Sequence, residues 1–166
     1  MPDLCRVFEA VGCAAVTTYI QSGNVLFEHR RENTARLSLQ LEEALAAEFT
    51  CAPLVLVLSR DQLGPVVTAA PPGFGAEPDL YRYDVVFIKP PASARSILPG
   101  IGLRDGVDEV FAQNDVLYLR RLTTRASQSR LSKLTQHPNY GNMTIRNWNT
   151  TRELWRRIQE LSLIHI

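Results

Sequence analysis

The side chains best suited to chemistry in this sequence lie in its last third, within residues 127–155. Residues 142–151 combine three asparagines, three threonines, an arginine and a tryptophan. Their amides, hydroxyls and guanidinium offer many hydrogen-bond donors and acceptors, so the run is too polar for a core strand and could hold a polar ligand. The amphipathic pattern that follows predicts a helix, which would anchor the run on one side.

The charge of the chain is unevenly distributed along its length. The formal net charge is +1, yet residues 118–166 hold nine basic residues against two acidic ones. The first 117 residues hold nine basic and fifteen acidic residues. A neutral chain with a basic C-terminal third would attract an anion to that part of the molecule.

Two cations in this basic third have a spacing that suits anion binding. Arg130 and Lys133 lie one turn apart at the start of a predicted short helix, after Ser127 and Ser129. Hydroxyls and cations at a helix N-terminus favour a phosphate or another anion. The alternative interpretation is an ordinary solvated basic surface, in which these side chains have no ligand.

The remaining candidates come from the polar run and the residues just before it. Thr144 and Arg146 would point to one side of a brief strand, and Tyr140 and Trp148 could stack on a base. The structural alternative is that the strand only completes a sheet, that Trp148 packs the helix entry onto the core, and that asparagines cap the helix. The predicted ligand-binding set is Ser129, Arg130, Lys133, Tyr140, Thr144, Arg146, Asn147 and Trp148.

Catalytic, metal and cofactor motifs are not evident. His29, His137 and His165 are scattered, with no cysteine or carboxylate near them at metal-ligand spacing. Ser129 and Lys133 do not have the Ser-x-x-Lys spacing of acyl enzymes. Neither a Gly-x-Gly-x-x-Gly loop nor a Walker loop occurs. The sequence therefore predicts no catalytic residue, no metal and no cofactor.

Composition indicates a folded chain in the cytoplasm. Hydrophobic residues make up 45% and charged residues 21% of 166, and no apolar run approaches the ~20 residues of a membrane span. The start of the chain lacks the pattern of a secretory signal. Cys5, Cys13 and Cys51 are odd in number and lie in apolar surroundings, so we expect reduced core thiols. The oligomeric state stays open.

Local patterns predict five elements in the first 58 residues. They are a helix over residues 2–12, hairpin strands over 15–21 and 25–28, a helix over 32–49 and a buried strand over 53–58. Gly23-Asn24 is a two-residue hairpin signal that would set Ile20 opposite Phe27. In that register the buried side chains are Val16, Thr18, Ile20, Val25 and Phe27. The long helix would bury Leu37, Leu41, Leu45 and Phe49.

The middle and the second half repeat this pattern. A capping box at residues 59–62 opens a helix, and the Pro- and Gly-rich residues 71–78 form the best candidate linker. The later elements are a strand over 82–88, a short helix over 92–98, hairpin strands over 107–112 and 116–122, and helices over 129–135 and 150–161. The hairpin turns at Asn114-Asp115, which sets Glu109 opposite Arg120 and Asp108 opposite Arg121. The last helix would have Asn149 or Thr150 as its N-cap.

The order of these elements predicts an α+β fold of two ferredoxin-like halves, residues 1–72 and 79–161. Strand, helix, hairpin, helix and closing strand form the split β-α-β unit. The first half shows the same order without its opening strand. We therefore expect that Met1 is not the natural start and that residues 162–166 are a non-native tail.

The chain resembles a bacterial family known as domain of unknown function 1697, DUF1697. The matching stretches are Thr18-Tyr-Ile-Gln-Ser-Gly-Asn-Val25, Ser129-Arg-Leu-Ser-Lys133 and Met143-Thr-Ile-Arg-Asn-Trp-Asn-Thr150. The resemblance implies two ferredoxin-like halves and no securely assigned activity. Family members begin with a strand and a basic Gly-rich loop that could cradle phosphate. Nothing in this chain matches that loop.

The leading hypothesis is a binding protein for an anionic ligand, either a phosphate-containing small molecule or nucleic acid. The predicted set would line one shared hollow. One alternative is a protein–protein interaction module, and another is an enzyme whose site needs the unmatched Gly-rich loop.

Overall fold

The computed structural model describes residues 2–19, 23–30 and 33–163. The chain divides into two compact units, Met1–Asp61 with Arg156–Ile166 and Gln62–Trp155. In the described residues the first unit holds a two-stranded antiparallel sheet and the second a four-stranded antiparallel sheet. The protein therefore has a mixed fold of helices and antiparallel sheets.

The first unit contains two helices and a hairpin, as the sequence predicts. Its elements are α1 (Pro2–Ala10), β1 (Ala14–Tyr19), β2 (Asn24–Glu28) and α2 (Thr34–Phe49). The cap of α2 is Asn33, whose side chain accepts a hydrogen bond from the Arg36 N–H at 3.0 Å; the predicted start at Glu32 falls outside the described residues. The buried residues of this core are Val7, Phe8, Cys13, Leu37, Leu41 and Leu45.

The predicted hairpin register is wrong. Thr18 pairs with Val25 and Tyr19 with Asn24, so Asn24 belongs to the strand and not to the predicted turn. Asn24 is buried inside the strand, and its amide donates to the Tyr19 carbonyl. A Gly-Asn pair favours a two-residue turn because both residues tolerate a positive φ, but Asn24 instead pairs with Tyr19 in the strand ladder. Ile20 and Gln21 lie outside the described residues.

Residues 53–58 do not form the predicted strand. The backbone N–H groups of Val55 and Val57 donate to the Glu42 carboxylate at 2.8 Å and the Ser38 hydroxyl at 3.0 Å. Side chains of α2 therefore satisfy donors that a sheet ladder would otherwise use. The two valines still pack against the core of this unit.

The predicted apolar stripe of α2 ends at Leu45 instead of Phe49, and the three predicted core thiols differ in their burial. Phe49 is 43% exposed at the end of the helix, where the chain leaves through the left-handed Thr50. Cys51 follows this turn and is exposed, Cys5 is half-buried and Cys13 is buried. Burial raises the pKa of the Cys13 thiol to about 11, so this thiol stays protonated and behaves as an apolar side chain.

The second unit is built on a sheet of strand order β4-β5-β3-β6. Its elements are α3 (Arg60–Thr68), β3 (Tyr81–Ile88), α4 (Ala94–Ile97), β4 (Asp108–Gln113), β5 (Val116–Leu122), β6 (Met143–Asn147) and α5 (Trp148–Leu163). The first residues of α3 and the last residues of α5 belong to the first unit. Asn114 and Asp115 have φ values of 53° and 61°, so the predicted two-residue turn is confirmed.

Two predicted helices in the second unit differ from the structure. The sequence predicts a helix over residues 129–135, whereas the chain forms a 3-10 helix over Leu131–Gln136. The final helix begins at Trp148, before the predicted Thr150. Its cap is Asn147, whose side-chain oxygen accepts the Thr150 N–H at 2.8 Å. Polar side chains at several neighbouring positions could each cap this helix, so sequence alone did not select one.

Opposite faces of the four-stranded sheet bury different kinds of side chain. One face packs aliphatic residues of the strands against α4 and the 3-10 helix; the buried members are Val86, Ile88, Ala94, Ile97, Leu117, Leu119, Leu131, Leu134 and Met143. The other face carries an aromatic cluster of Phe74, Tyr83, Tyr118 and Trp148, with centroid distances of 4.9–5.1 Å from Phe74 to the other three rings. Residues 71–78, the predicted linker, therefore supply a central ring of this cluster.

Replacing Tyr118 with phenylalanine is expected to destabilise the protein by about 1–2 kcal/mol. The Tyr118 side chain is fully buried, and its hydroxyl donates to the Val66 carbonyl at 2.8 Å and accepts from the Asn114 amide at 3.0 Å. Burial raises the pKa of Tyr118 against the opposing Asn114 hydrogen bond, so the donor proton is retained. The free energy of unfolding in urea tests this, with the exposed Tyr140→Phe as the control. Equal stability of the two variants would contradict the expectation.

Candidate functional site

Strand pairing determines which basic side chains of the C-terminal third are already neutralised. Glu109 lies opposite Arg120 as predicted, and the two form an ion pair. The Arg120 guanidinium also lies 4.1 Å from the centre of the Tyr81 ring. This arginine is therefore part of the structure of the sheet.

Asp108 lies opposite Arg121 as predicted, but its carboxylate binds other groups. It accepts hydrogen bonds from the Ser129 hydroxyl at 2.5 Å, the Arg130 N–H at 2.8 Å and the Arg104 N–H at 2.9 Å. Ser129 is buried, and its oxygen also accepts the Leu131 N–H at 3.2 Å. The Ser129 hydroxyl thus holds the entry of the 3-10 helix to the sheet, and this network positions Arg130.

Arg130 and Lys133 line one pocket, which has a volume of about 330 Å³. Its other lining residues are Gly100, Ile101, Gly102, Leu134, Gln136, His137 and Pro138. Both cations are exposed, and the charged residues of the lining are all basic. Because the lining also contains Gly100 and Gly102, a ligand could approach the backbone closely there.

His137 is the pocket residue that sequence reasoning missed. Its Nδ1 accepts the Asn139 N–H at 3.0 Å, so the neutral ring carries its proton on Nε2. A methyl group added at Gly100 would lie 2.8 Å from that Nε2, which places the donor against the glycine wall of the pocket. In the sequence, His137-Pro138 indicates only the end of a helix. The two glycines in Gly100-Ile-Gly102 were a weak indication that this segment could line a pocket.

Thr144 and Arg146 lie on the opposite face of the sheet from this pocket. Arg146 pairs with Val85, which pairs with Tyr118 on the aromatic face. The 3-10 helix that carries Lys133 packs on the aliphatic face. The Arg146 guanidinium donates to the Thr144 hydroxyl and the Ile145 carbonyl, both at 2.9 Å, and burial lowers its pKa. The shared hollow expected for all eight residues therefore does not form.

The last three predicted residues have separate environments. Asn147 caps α5, and Trp148 is 8% exposed within the aromatic cluster. Both residues therefore have the structural role that was the alternative to ligand binding. Tyr140 is 40% exposed on the short 3-10 turn Tyr140–Asn142. Of the predicted set, the structure brings Arg130 and Lys133 together, with Ser129 as their structural support.

A second concavity lies in the first unit and has the opposite electrostatic character. It has a volume of about 990 Å³ and is lined by Val11, Gly12, Ala14, Glu28, His29, Arg30, Gln40, Glu43 and Ala44. Two carboxylates against one arginine would repel an anion, so this concavity does not suit the predicted ligand class.

Within the described residues, no group of three or more histidine, cysteine or acidic side chains could hold a metal ion. None of the described helices combines the length and apolar composition that crossing a bilayer requires.

Comparison with known proteins gives a family and a fold. A family model described as protein of unknown function (DUF1697) matches residues 1–118. Among solved structures, the chain is similar to the conserved bacterial protein SP0830 from Streptococcus pneumoniae, with a TM-score of 0.81 and 20% sequence identity. The alignment covers 96% of this chain and 88% of that chain. The search of curated proteins found no match.

Proposed function

This chain belongs to the DUF1697 family, and from that premise we propose that it binds a small phosphate-containing anion in the pocket of Arg130 and Lys133. The observation that carries the proposal is the convergence of these two cations on one cavity of about 330 Å³. That volume lies at the lower end of the range for small-molecule sites, ~300–1,000 Å³. The size favours a small molecule over a nucleic-acid strand, which would need a longer basic surface.

Backbone contacts support the arrangement of the two cations. The Arg130 N–H is held by the buried Asp108 carboxylate, and the Lys133 N–H donates to the Arg130 carbonyl at 3.0 Å. Both side chains therefore start from an anchored backbone, although their charged ends are exposed. A site with an anchored backbone loses less conformational entropy when it binds a ligand.

Arg130→Ala and Lys133→Ala are each expected to weaken phosphate binding roughly tenfold, since each removes one charge-assisted hydrogen bond. Titration with inorganic phosphate and with a nucleoside monophosphate, followed by backbone NMR shifts, measures the affinity. Binding should weaken as salt is raised, because exposed charges are screened.

The matched control is Arg95→Ala, which removes an exposed arginine of α4 that does not line the pocket. This variant should bind phosphate as the wild type does. An affinity that is insensitive to salt, or equal losses in all three variants, would refute the site. A single-stranded oligonucleotide that binds more tightly than the monophosphate would favour the nucleic-acid alternative.

We also propose that the second unit follows the ferredoxin-like plan expected from the sequence. The strand order β4-β5-β3-β6 supports this. The first strand of the unit, β3, lies inside the sheet, and the last strand, β6, pairs with it at the edge. The 3-10 helix Leu131–Gln136 occupies the position of the second helix and packs on the same face as α4. The proposal is limited to the second unit, because the described residues of the first unit form a two-stranded sheet and residues 53–58 form no strand.

A further inference from the structure

We propose that the outer edge of β4 pairs with the same edge of a second copy of this chain, so that two four-stranded sheets join across a two-fold axis. This contact is independent of the proposed phosphate binding. β4 (Asp108–Gln113) is the end strand of the order β4-β5-β3-β6. β5 covers one of its edges, and the other edge has no strand beside it within the described residues.

Backbone hydrogen bonds identify the groups that this edge presents. The Leu122 N–H donates to the Val107 carbonyl at 2.9 Å, so these two residues form a hydrogen-bonded pair. Such pairs alternate along an antiparallel ladder, and the pair of Gln113 with Val116 that closes the two-residue turn falls in the same series. The odd-numbered residues of β4 therefore bond β5, and the even-numbered residues direct their N–H and C=O groups outward.

Two of these outward-facing residues are available for pairing. The Asp108 N–H already donates to the Arg104 carbonyl at 2.9 Å. In the part of the chain that the structure describes, Val110 and Ala112 have no backbone hydrogen bond on the outer side. Each offers one donor and one acceptor, which is the pattern that a further antiparallel strand needs.

β4 lacks the features that usually prevent a sheet edge from pairing. It contains no lysine, arginine or proline, and its register with β5 runs without a bulge. Glu109 is ion-paired with Arg120 and Asp108 is buried, so neither leaves an uncompensated charge on the edge. β1, by contrast, has an irregular register and a left-handed Ala15. A regular edge without a free charge is a template for another strand.

The sequence of β4 is complementary to itself, which is why we infer a second copy as the partner. With Phe111 opposite the same residue of the second copy, Val110 lies opposite Ala112 and Glu109 opposite Gln113. No like charges then face each other, and the outward groups of Val110 and Ala112 bond one another. Shifted registers would pair fewer residues of β4.

Phe111 would lie at the centre of this contact. It is 39% exposed, and its own backbone groups bond β5, so on the two-fold axis it occupies a non-hydrogen-bonded position. Opposite side chains approach most closely at such positions, and an aromatic pair across two strands is stabilising. The contact therefore covers an exposed aromatic ring as well as unpaired backbone.

Sedimentation equilibrium of the full-length protein tests the pairing. The joined edges would bury less than the roughly 1,200–2,000 Å² of a stable interface, so we expect a weak monomer–dimer equilibrium between about 10 µM and about 1 mM. Phe111→Lys should weaken it roughly tenfold, because it removes the aromatic pair and opposes two like charges. The control is Leu39→Lys, which changes a 55% exposed leucine of α2 and should leave the equilibrium unchanged.

Two further variants test the register and the backbone pairing. Phe111→Glu should also be monomeric by itself, yet an equal mixture with Phe111→Lys should form a mixed dimer, since opposite charges then meet on the axis. Ala112→Pro removes an outward N–H without touching a bond to β5 and should weaken association while the fold is kept. Urea unfolding of each variant verifies that it is folded.

A wild-type chain that stays monomeric at every concentration would overturn the proposed dimer. A dimer that Phe111→Lys and Leu39→Lys weaken equally would do the same, since its contact must then lie elsewhere, and so would a mixture of the Lys and Glu variants that stays monomeric. Phe111 and Ala112 do not line the pocket of Arg130 and Lys133. Phosphate binding should therefore be unchanged in these variants, and either proposal can fail without the other.

Discussion

Replacing Gly75 with alanine is expected to lower the free energy of unfolding by about 3 kcal/mol or more. Gly75 has a φ of +83°, and a methyl group there would lie 2.6 Å from Cδ1 of the Trp148 indole and closer still to Nε1. An alanine in this backbone conformation costs about 1 kcal/mol. The remainder comes from displacing Trp148, which packs against both Phe74 and Tyr118. Urea unfolding, with near-ultraviolet circular dichroism to report the aromatic cluster, measures the effect.

Gly73→Ala provides an internal control for this prediction. Gly73 lies two residues away with a φ of +78°, but a methyl group there meets nothing within 4 Å. Its alanine variant should therefore lose only the backbone cost of about 1 kcal/mol. The difference between the two variants isolates the contact with Trp148. Equal losses would show that the indole yields without cost and would remove the role assigned to the cluster.

Replacing Asp108 with alanine should also destabilise the protein by about 3 kcal/mol, since a buried donor left without a partner costs ~1–3 kcal/mol and a partly buried donor costs less. Asp108 is 6% exposed, and its carboxylate accepts from the Ser129 hydroxyl and from two backbone N–H groups. Alanine removes both acceptor oxygens and leaves these three donors without that partner. Because one of the donors is the Arg130 N–H, the same variant should weaken phosphate binding beyond its effect on stability.

Asp108→Asn should cost much less than the alanine variant. One amide oxygen can still accept the Arg130 and Arg104 N–H groups, while the amide nitrogen can donate to Ser129, whose hydroxyl can rotate to accept. We expect a loss of about 1 kcal/mol for this variant. The control is Asp105→Ala, since Asp105 is exposed. The proposed network would be refuted if alanine and asparagine at position 108 were equally stable.

The missed register of the first hairpin shows how local signals fail when a side chain is buried. Gly23-Asn24 matches the composition of a two-residue turn, but the Asn24 amide is buried in the strand and bonds the Tyr19 carbonyl. In the second hairpin, Asn114 and Asp115 are both in the left-handed region. The same type of dipeptide was therefore predicted correctly where the chain needs two left-handed residues in succession.

Of the candidate site, the sequence predicted the two cations that are close together along the chain, but it grouped them with residues that lie elsewhere. Arg130 and Lys133 are neighbours along the chain, and the three-residue spacing of a helical turn brings them together in both α and 3-10 geometry. Thr144 and Arg146 were grouped with them by composition and charge. The alternation of side chains along β6 instead directs them to the other face of the sheet.

Sequence by itself determined the features that depend on neighbours in the chain: the helices α1 and α2, the turn at Asn114-Asp115, the pairing of Glu109 with Arg120 and the family of the protein. Tertiary structure decided which of these elements form a pocket. His137 and Gly100 meet across 37 positions, and Asp108 reaches Ser129 across 21. These contacts exist because the order of strands and the packing of the 3-10 helix bring distant segments together, and no local pattern encodes such a meeting.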